Sequence, residues 1–295
     1  MAGRPIHTFE VVRSEQLAPH MVRVVLGGNH TDGHTDGHNG KSGGFGTFTP
    51  GENTDSYVKL VFVPAGVDVS ALETPLTMDS FAALPAEQQP TVRTYTVRRV
   101  DAERGEITID FVVHGEHGVA GPWAATAQPG QPAYLMGPSG AFSPDPEADW
   151  YLFAGDEAAL PAIGAALEAL PADAVGRAYI EVAGPDDQIE LTAPEGVSVI
   201  WVYRGGRADL VPEERAGDHA PLIAAVKETL WMPGQVQVFI HGEAQAVMHN
   251  LRAYIRKERE VDAKWASSIS GYWRRGRTEE TFRQWKAELA KAEAG

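Results

Sequence analysis

The chain has 295 residues, enough for two domains of roughly 150 residues each, and its 43% hydrophobic and 22% charged residues are those of a globular protein. A formal net charge of −15 argues against nucleic acid and anionic lipid as partners. With no cysteine there is no disulfide, thiolate metal site, iron–sulfur cluster or cysteine nucleophile, so redox chemistry needs a borrowed cofactor.

The start, MAGRPIHTFEVVRSEQ, lacks the apolar stretch of a secretory signal, and no later segment reaches the roughly 18 apolar residues of a membrane span. A cytoplasmic protein without a membrane partner is expected. The first half then reads as short strands rich in Val, Tyr, Thr and Ile, bounded by Gly, Pro or Asp: MVRVVLGG, SYVKLVFVP, TVRTYTVRRV, EITIDFVVHG and QPAYLMG. Such a series predicts a closed barrel or a sandwich.

Between the first two lies NHTDGHTDGHNGKSGGFG, residues 29–46, with His30, His34 and His38. Imidazoles bind metals, but Gly and Asp at this density favour a flexible surface loop, and no metal site is assigned.

After Asp149 the pattern changes. WYLFAGDE is strand-like and leads into a helix with Ala162, Ile163, Ala166, Leu167 and Leu170 on one face. RAYIEVAG, VSVIWVYRGG and QVQVFIHGE are further buried strands, the last followed by a helix carrying Val247, Leu251, Tyr254 and Ile255 at i, i+4, i+7, i+8. Alternating strand and helix predict a parallel sheet that binds ligands at its carboxyl ends. Thr278 is placed to cap a last helix with Glu279 and Glu280 in its first turn and Phe282, Trp285 and Leu289 buried. The domains are expected at 1–146 and 147–295, the second ending in that helix.

Arg93-Thr94-Tyr95-Thr96 lies on a predicted strand, so Arg93 and Tyr95 share one face and Thr94 and Thr96 the other. A flavin needs an aromatic surface, a cation near its phosphates and small donors near its reactive nitrogen, and this arrangement can provide all three. Taken alone, it is equally an amphipathic barrel strand. Downstream come DFVVHG, residues 110–115, and GVAGPWA, residues 118–124, a small-residue turn that exposes backbone N–H groups as a pyrophosphate site does. The order of the three motifs is more specific than any one of them.

In these motifs the sequence resembles the siderophore-interacting proteins, a branch of the ferredoxin–NADP reductase-like flavoenzymes. TDSYVKLVF, GDEAALPAI, HGEAQAVMHNLRAYIRKER and ISGYWRRGRTEE extend the resemblance over nearly the whole chain. It implies a six-stranded antiparallel FAD-binding barrel followed by a Rossmann-like NAD(P)H-binding domain, in a monomer. It also implies that Tyr95 lies against the isoalloxazine, Thr96 near N5 and Arg93 towards the ribityl-phosphate. Asp110, Phe111, Val112 and His114 continue the site, and Ala120, Gly121, Trp123 and Ala124 present backbone to the pyrophosphate. Asp156 and Glu157 mark the nicotinamide site, where this chain has Ala158 in place of the family's usual threonine; Asp156 and Glu157 equally suit helix capping, with Pro161 at the helix start.

The implied activity is FAD-dependent reduction of a ferric siderophore, with NADH, NADPH or a ferredoxin as donor and no protein nucleophile. Many ferric siderophores are anionic, so a protein at −15 needs a local cationic cleft. Lys59 matches the family's siderophore-contacting position, and Arg256 and Arg274 are further substrate candidates. Tyr272 and Trp273 either wall the cleft or belong to the core. Arg204 and Arg207 are candidates for a 2′-phosphate or are loop charges. A general NAD(P)H:flavin or ferredoxin-coupled oxidoreductase and a non-catalytic flavin-containing siderophore-binding module are the alternatives.

Overall fold

The computed structural model describes residues 3–28, 44–115 and 118–294. His30, His34 and His38 lie outside them. The chain divides into two compact units, Met1–Phe142 and Ser143–Gly295.

In the first unit the strands are β1 (His7–Ala18), β2 (Met21–Gly27), β3 (Tyr57–Phe62), β4 (Thr91–Thr96), β5 (Arg99–Asp101), β6 (Glu106–Val112) and β7 (Pro132–Ser139), with short helices α1 (Gly44–Thr47) and α2 (Ala120–Ala125). They form one antiparallel sheet ordered β4-β3-β7-β1-β2-β6-β5. The two ends are halves of one bent strand. Val97 donates its N–H to Ser56 O on the β3 side at 2.7 Å, while the next residue, Arg98, donates to Thr108 O on β6 at 2.8 Å. The seven segments therefore close a six-stranded barrel, as the resemblance implied.

The pattern of apolar residues alone finds five of these strands and misses β1. Its first half alternates, burying Phe9 and Val11, but Arg13–Gln16 are exposed or nearly so, and the period-2 signal is lost. Phe9, Ile107, Ile109, Phe111 and Leu135 are fully buried in the barrel, each worth roughly 1.5–3 kcal/mol of burial. The far end of the predicted loop is ordered rather than free: α1 packs on β1, and Phe48 meets Phe9 edge-on at 5.6 Å. A Cβ on Gly44 would lie 2.2 Å from Thr8 O, so only glycine allows this approach.

The second unit has β8 (Trp150–Asp156), α3 (Leu160–Glu168), β9 (Gly176–Val182), β10 (Val197–Tyr203), α4 (Pro221–Lys227), β11 (Val236–Glu243), β12 (Ser268–Trp273) and α5 (Glu279–Ala294). All pairings are parallel, in the order β10-β9-β8-β11-β12. Leu152, Val238 and Ile240 share one buried cluster with Leu222, Ile223 and Val226 of α4 and Phe282 of α5, whereas the residue before α3 comes so near β8 that a Cβ on Gly155 would lie 2.5 Å from Ala159 Cβ. The helix expected after β11 winds differently. Gln245–Leu251 and Tyr254–Glu258 are π-helical, with Arg252 N–H bonded to Val247 O and Arg259 N–H to Tyr254 O. Val247, Leu251, Tyr254 and Ile255 are nonetheless all buried, as their spacing predicts.

Candidate functional site

The barrel's motif strand is β4. Tyr95 is half-buried, its ring centroid 4.4 Å from that of Phe111 at an interplanar angle of 38°. Phe111 in turn lies 5.6 Å from Trp123 of α2, and Trp123 lies 5.7 Å from Phe62 at the end of β3. Pairing places Tyr95 opposite Val58 and Arg93 opposite Leu60, both barrel-interior residues, so Tyr95 and Arg93 share that face. Arg93 Nη1 donates to Val92 O at 2.8 Å. Thr96 is buried, Val112 half-buried and His114 exposed; Ala120 and Ala124 are buried and Gly121 is half-buried. A Cβ on Gly121 would approach Val112 O to 3.4 Å. Asp110 is engaged elsewhere: Arg23 grips both of its oxygens, at 2.7 and 2.8 Å, across the β2–β6 pair.

Lys59 points to the other face of β3 from Val58 and Leu60, as the alternation predicts. It lines a cavity of about 300 Å³ with Arg4, Tyr57, Met136, Gly137 and Ser139. The cavity has two cations and no carboxylate in its wall. Arg4 is a member that sequence reasoning missed, because it precedes every recognised motif.

In the α/β unit, β8 is followed in space by β9 on one side and β11 on the other, so strand order reverses between β8 and β11. Open parallel sheets bind ligands at such a point. Asp156 and His241–Gly242 stand there. Asp156 is buried, and its Oδ2 accepts the Glu243 N–H at 2.8 Å and the Trp273 Nε1–H at 2.7 Å, while Oδ1 accepts the Ala158 N–H at 3.0 Å. Burial, then the neighbouring Glu157, push its pKa up to about 7. Gly242 has φ 143°, and a Cβ there would meet Asp156 Oδ2 at 2.7 Å. His241 lies between Phe239 and Tyr272, each ring centroid 4.4 Å away and tilted by 44° and 40°, and its Nδ1 has no hydrogen-bond partner among the described residues. Burial, then Lys286, lower its pKa to about 3, so the ring is neutral.

Arg204 is buried between Glu157 and Glu181, and Glu181 also accepts the Leu222 N–H at 2.8 Å. It is an internal ion cluster rather than a surface charge. Arg207 pairs with Asp209 at 2.6 Å. Arg256 is exposed and donates to Ala266 O, whereas Arg274 donates to Gln245 Oε1 at 2.7 Å and lies 4.5 Å over the Trp285 ring. The role of Trp273 as a hydrogen-bond donor, and those of Glu243 and Glu181, had no motif to announce them.

Comparison with known proteins settles what kind of chain carries these features. Residues 10–142 match the siderophore-interacting FAD-binding domain and residues 148–276 the siderophore-interacting protein domain. The chain belongs to the siderophore-interacting protein family. It is 31% identical over 282 residues to a ferric vibriobactin reductase of Vibrio cholerae, covering 94% of this chain and 92% of that one. It is 71% identical over 295 residues to an uncharacterised protein of Mycobacterium tuberculosis, covering 100% and 99%. A solved siderophore utilization protein from T. fusca superposes with a TM-score of 0.73 at 33% identity, covering 94% and 96%.

This member of the family is an oxidoreductase whose cofactor is FAD, with a nicotinamide nucleotide as donor. The barrel suits a flavin: a half-buried tyrosine backed by Phe111, an arginine on the same face, and a glycine where backbone must run close. Among the described residues no cluster of His, Cys, Asp and Glu could hold a metal, and no helix is long and apolar enough to cross a membrane.

Proposed function

We propose that the chain is a ferric-siderophore reductase that reduces Fe(III) to Fe(II) and so releases iron in the cytoplasm, as part of iron uptake. Tyr95, Arg93 and Thr96 would hold FAD, which would supply the exchange between a nicotinamide's two-electron hydride and one-electron reduction of two ferric ions. Fe(II) is held far less tightly by hard oxygen ligands, so the siderophore lets it go.

The observation that carries this reading is the Lys59 cavity. On a chain of net charge −15 it offers Lys59 and Arg4 without an opposing carboxylate, which suits an anionic iron chelate. Tyr95, Arg93 and Thr96 would hold the flavin, with Phe111 as backing, and Val112, His114, Ala120, Gly121, Trp123 and Ala124 completing its site. Asp110 supports the strand through Arg23. Asp156 and Glu157 would shape the nicotinamide end through backbone they fix, because their carboxylates are already bonded. Arg256 and Arg274 are proposed further contacts to substrate.

The test is an anaerobic visible spectrum, before and after NADH or NADPH and then a ferric tris-catecholate with an Fe(II) trap. Bleaching by a nucleotide and recovery as Fe(II) appears supports the reductase and names its donor. Lys59→Gln should raise KM for the anionic chelate while leaving reduction of a neutral quinone unchanged. Equal effects on both acceptors would favour a general flavin reductase, and a flavin that never bleaches would favour a ferredoxin donor or a binding module.

A further inference from the structure

We infer that the adenosine end of the donor site selects NADH over NADPH, because the arginines placed to hold a 2′-phosphate are committed to the protein itself. The inference deepens the reading that a nicotinamide nucleotide is the donor, and rests on it.

In an open parallel sheet, the group that reads the ribose 2′ position stands beyond the phosphate-binding turn, near the ends of the neighbouring strands. A carboxylate accepts from a free 2′-hydroxyl, and an arginine pairs with a 2′-phosphate. In this chain the turn follows β8, and the strands beside it are β9 and then β10. The turn after β9 carries Asp186, which is exposed. The segment after β10 carries Arg204, Arg207 and Arg215.

Each of these arginines is already in use. Arg204 is buried, with Nη2 donating to Glu157, Nη1 to Glu181 at 3.3 Å and Nε to Gly206 O at 3.0 Å. Drawing it out to a ligand would leave two buried carboxylates without their counter-charge. Arg207 presents Nε and Nη2 to the two oxygens of Asp209, at 3.1 and 2.6 Å, which is the forked geometry that a phosphate would require of it. Arg215 folds back, its Nη2 donating to Tyr203 O at 2.9 Å. Arg275, after β12, reaches the same segment and donates from Nη2 to Val211 O at 2.6 Å, while its Nη1 is buried. Asp186, Asp209, Glu213 and Glu214 are exposed on the segments after β9 and β10, so an added phosphate meets like charge there, whereas a 2′-hydroxyl meets acceptors.

The experiment titrates the FAD-loaded protein with NAD⁺ and NADP⁺ by calorimetry, since the oxidised nucleotides bind without reducing the flavin, and compares anaerobic bleaching by NADH and NADPH. Wild type should bind NAD⁺ at least about tenfold more tightly than NADP⁺ and bleach with the same preference. Adenosine 5′-monophosphate should displace NAD⁺ at lower concentration than adenosine 2′,5′-bisphosphate does, which reads the 2′ position without any variant. Asp209→Asn, which releases Arg207, should shift the NADP⁺ to NAD⁺ affinity ratio towards NADP⁺ by about tenfold. Equal or tighter binding of NADP⁺ by the wild type, stronger displacement by the bisphosphate, or an unchanged ratio in Asp209→Asn overturns the assignment. A protein that binds neither nucleotide and bleaches with neither would remove the nicotinamide donor itself, and this selection with it.

Discussion

Trp273, at the end of β12, donates its indole N–H to Asp156 Oδ2, at the end of β8, across 2.7 Å. The same oxygen accepts the Glu243 N–H at 2.8 Å, so one carboxylate ties together the ends of β8, β11 and β12 where the strand order reverses. Glu243 extends the tie by accepting the Arg275 N–H at 3.3 Å, next to Arg274.

The Asp156 pKa, raised from 3.8 to about 7, makes stability depend on pH with a definite sign. Between those values the folded state binds a proton that the unfolded state has lost, so this residue's contribution is full at acid pH and disappears as pH rises through about 7. Urea unfolding at pH 5, 6, 7 and 8 should show Asp156→Asn gaining on the wild type as pH rises. Trp273 fluorescence should titrate near pH 7 in the wild type only. A difference between the two proteins that is the same at every pH would exclude the linkage.

His241 acts in the opposite direction. Its pKa is lowered from 6.5 to about 3, so the unfolded state binds more protons across that window and stability is lost as pH falls. His241→Asn should flatten the acid limb of the stability curve, read by thermal unfolding between pH 4 and 7.

Removing Arg23 leaves Asp110, which is buried, with its guanidinium partner gone. Arg23→Ala should cost roughly 3–5 kcal/mol of unfolding free energy, and Asp110→Asn in the same background should recover part of it. A cost below about 1 kcal/mol would mean that water replaces the arginine.

Tyr95→Ala should weaken flavin binding roughly 10- to 100-fold, the value of burying an aromatic ring, while Tyr95→Phe keeps most of it. Flavin titration of the apoprotein distinguishes the two. Gly44→Ala tests the barrel's other flank: a Cβ 2.2 Å from Thr8 O must displace backbone, and a loss of about 1–3 kcal/mol is expected.

Much of this architecture was legible because burial leaves a period in the sequence. β3, β6 and the strands of the parallel sheet have apolar residues where the barrel or helix layers need them, and α5 has Phe282, Trp285 and Leu289 on its inner side. β1 was not legible, because half of it faces solvent on both sides of the pleat. The π winding after β11 escaped for another reason: its buried positions fit a 3.6-residue repeat almost as well as the wider one. In the proposed flavin site, Arg93, Tyr95 and Thr96 form a contiguous motif that can be read from sequence. Arg4, Glu181 and Trp273 could not, since their partners lie between 23 and 117 residues away in sequence or are joined to them only through a cavity.

The bend at Val97–Arg98 has a consequence for how the strand carrying Tyr95 behaves over time. A strand shared by two sheet edges cannot slide along either one alone, because a shift of one residue would break the pairing with β3 and β6 together and turn Tyr95 to the wrong side. The orientation of that tyrosine is therefore a property of barrel closure as a whole. Amide protons of Val97 and Arg98 should exchange with solvent only when the entire barrel opens, and the Tyr95 face proposed to carry the flavin should persist for as long as the domain stays folded.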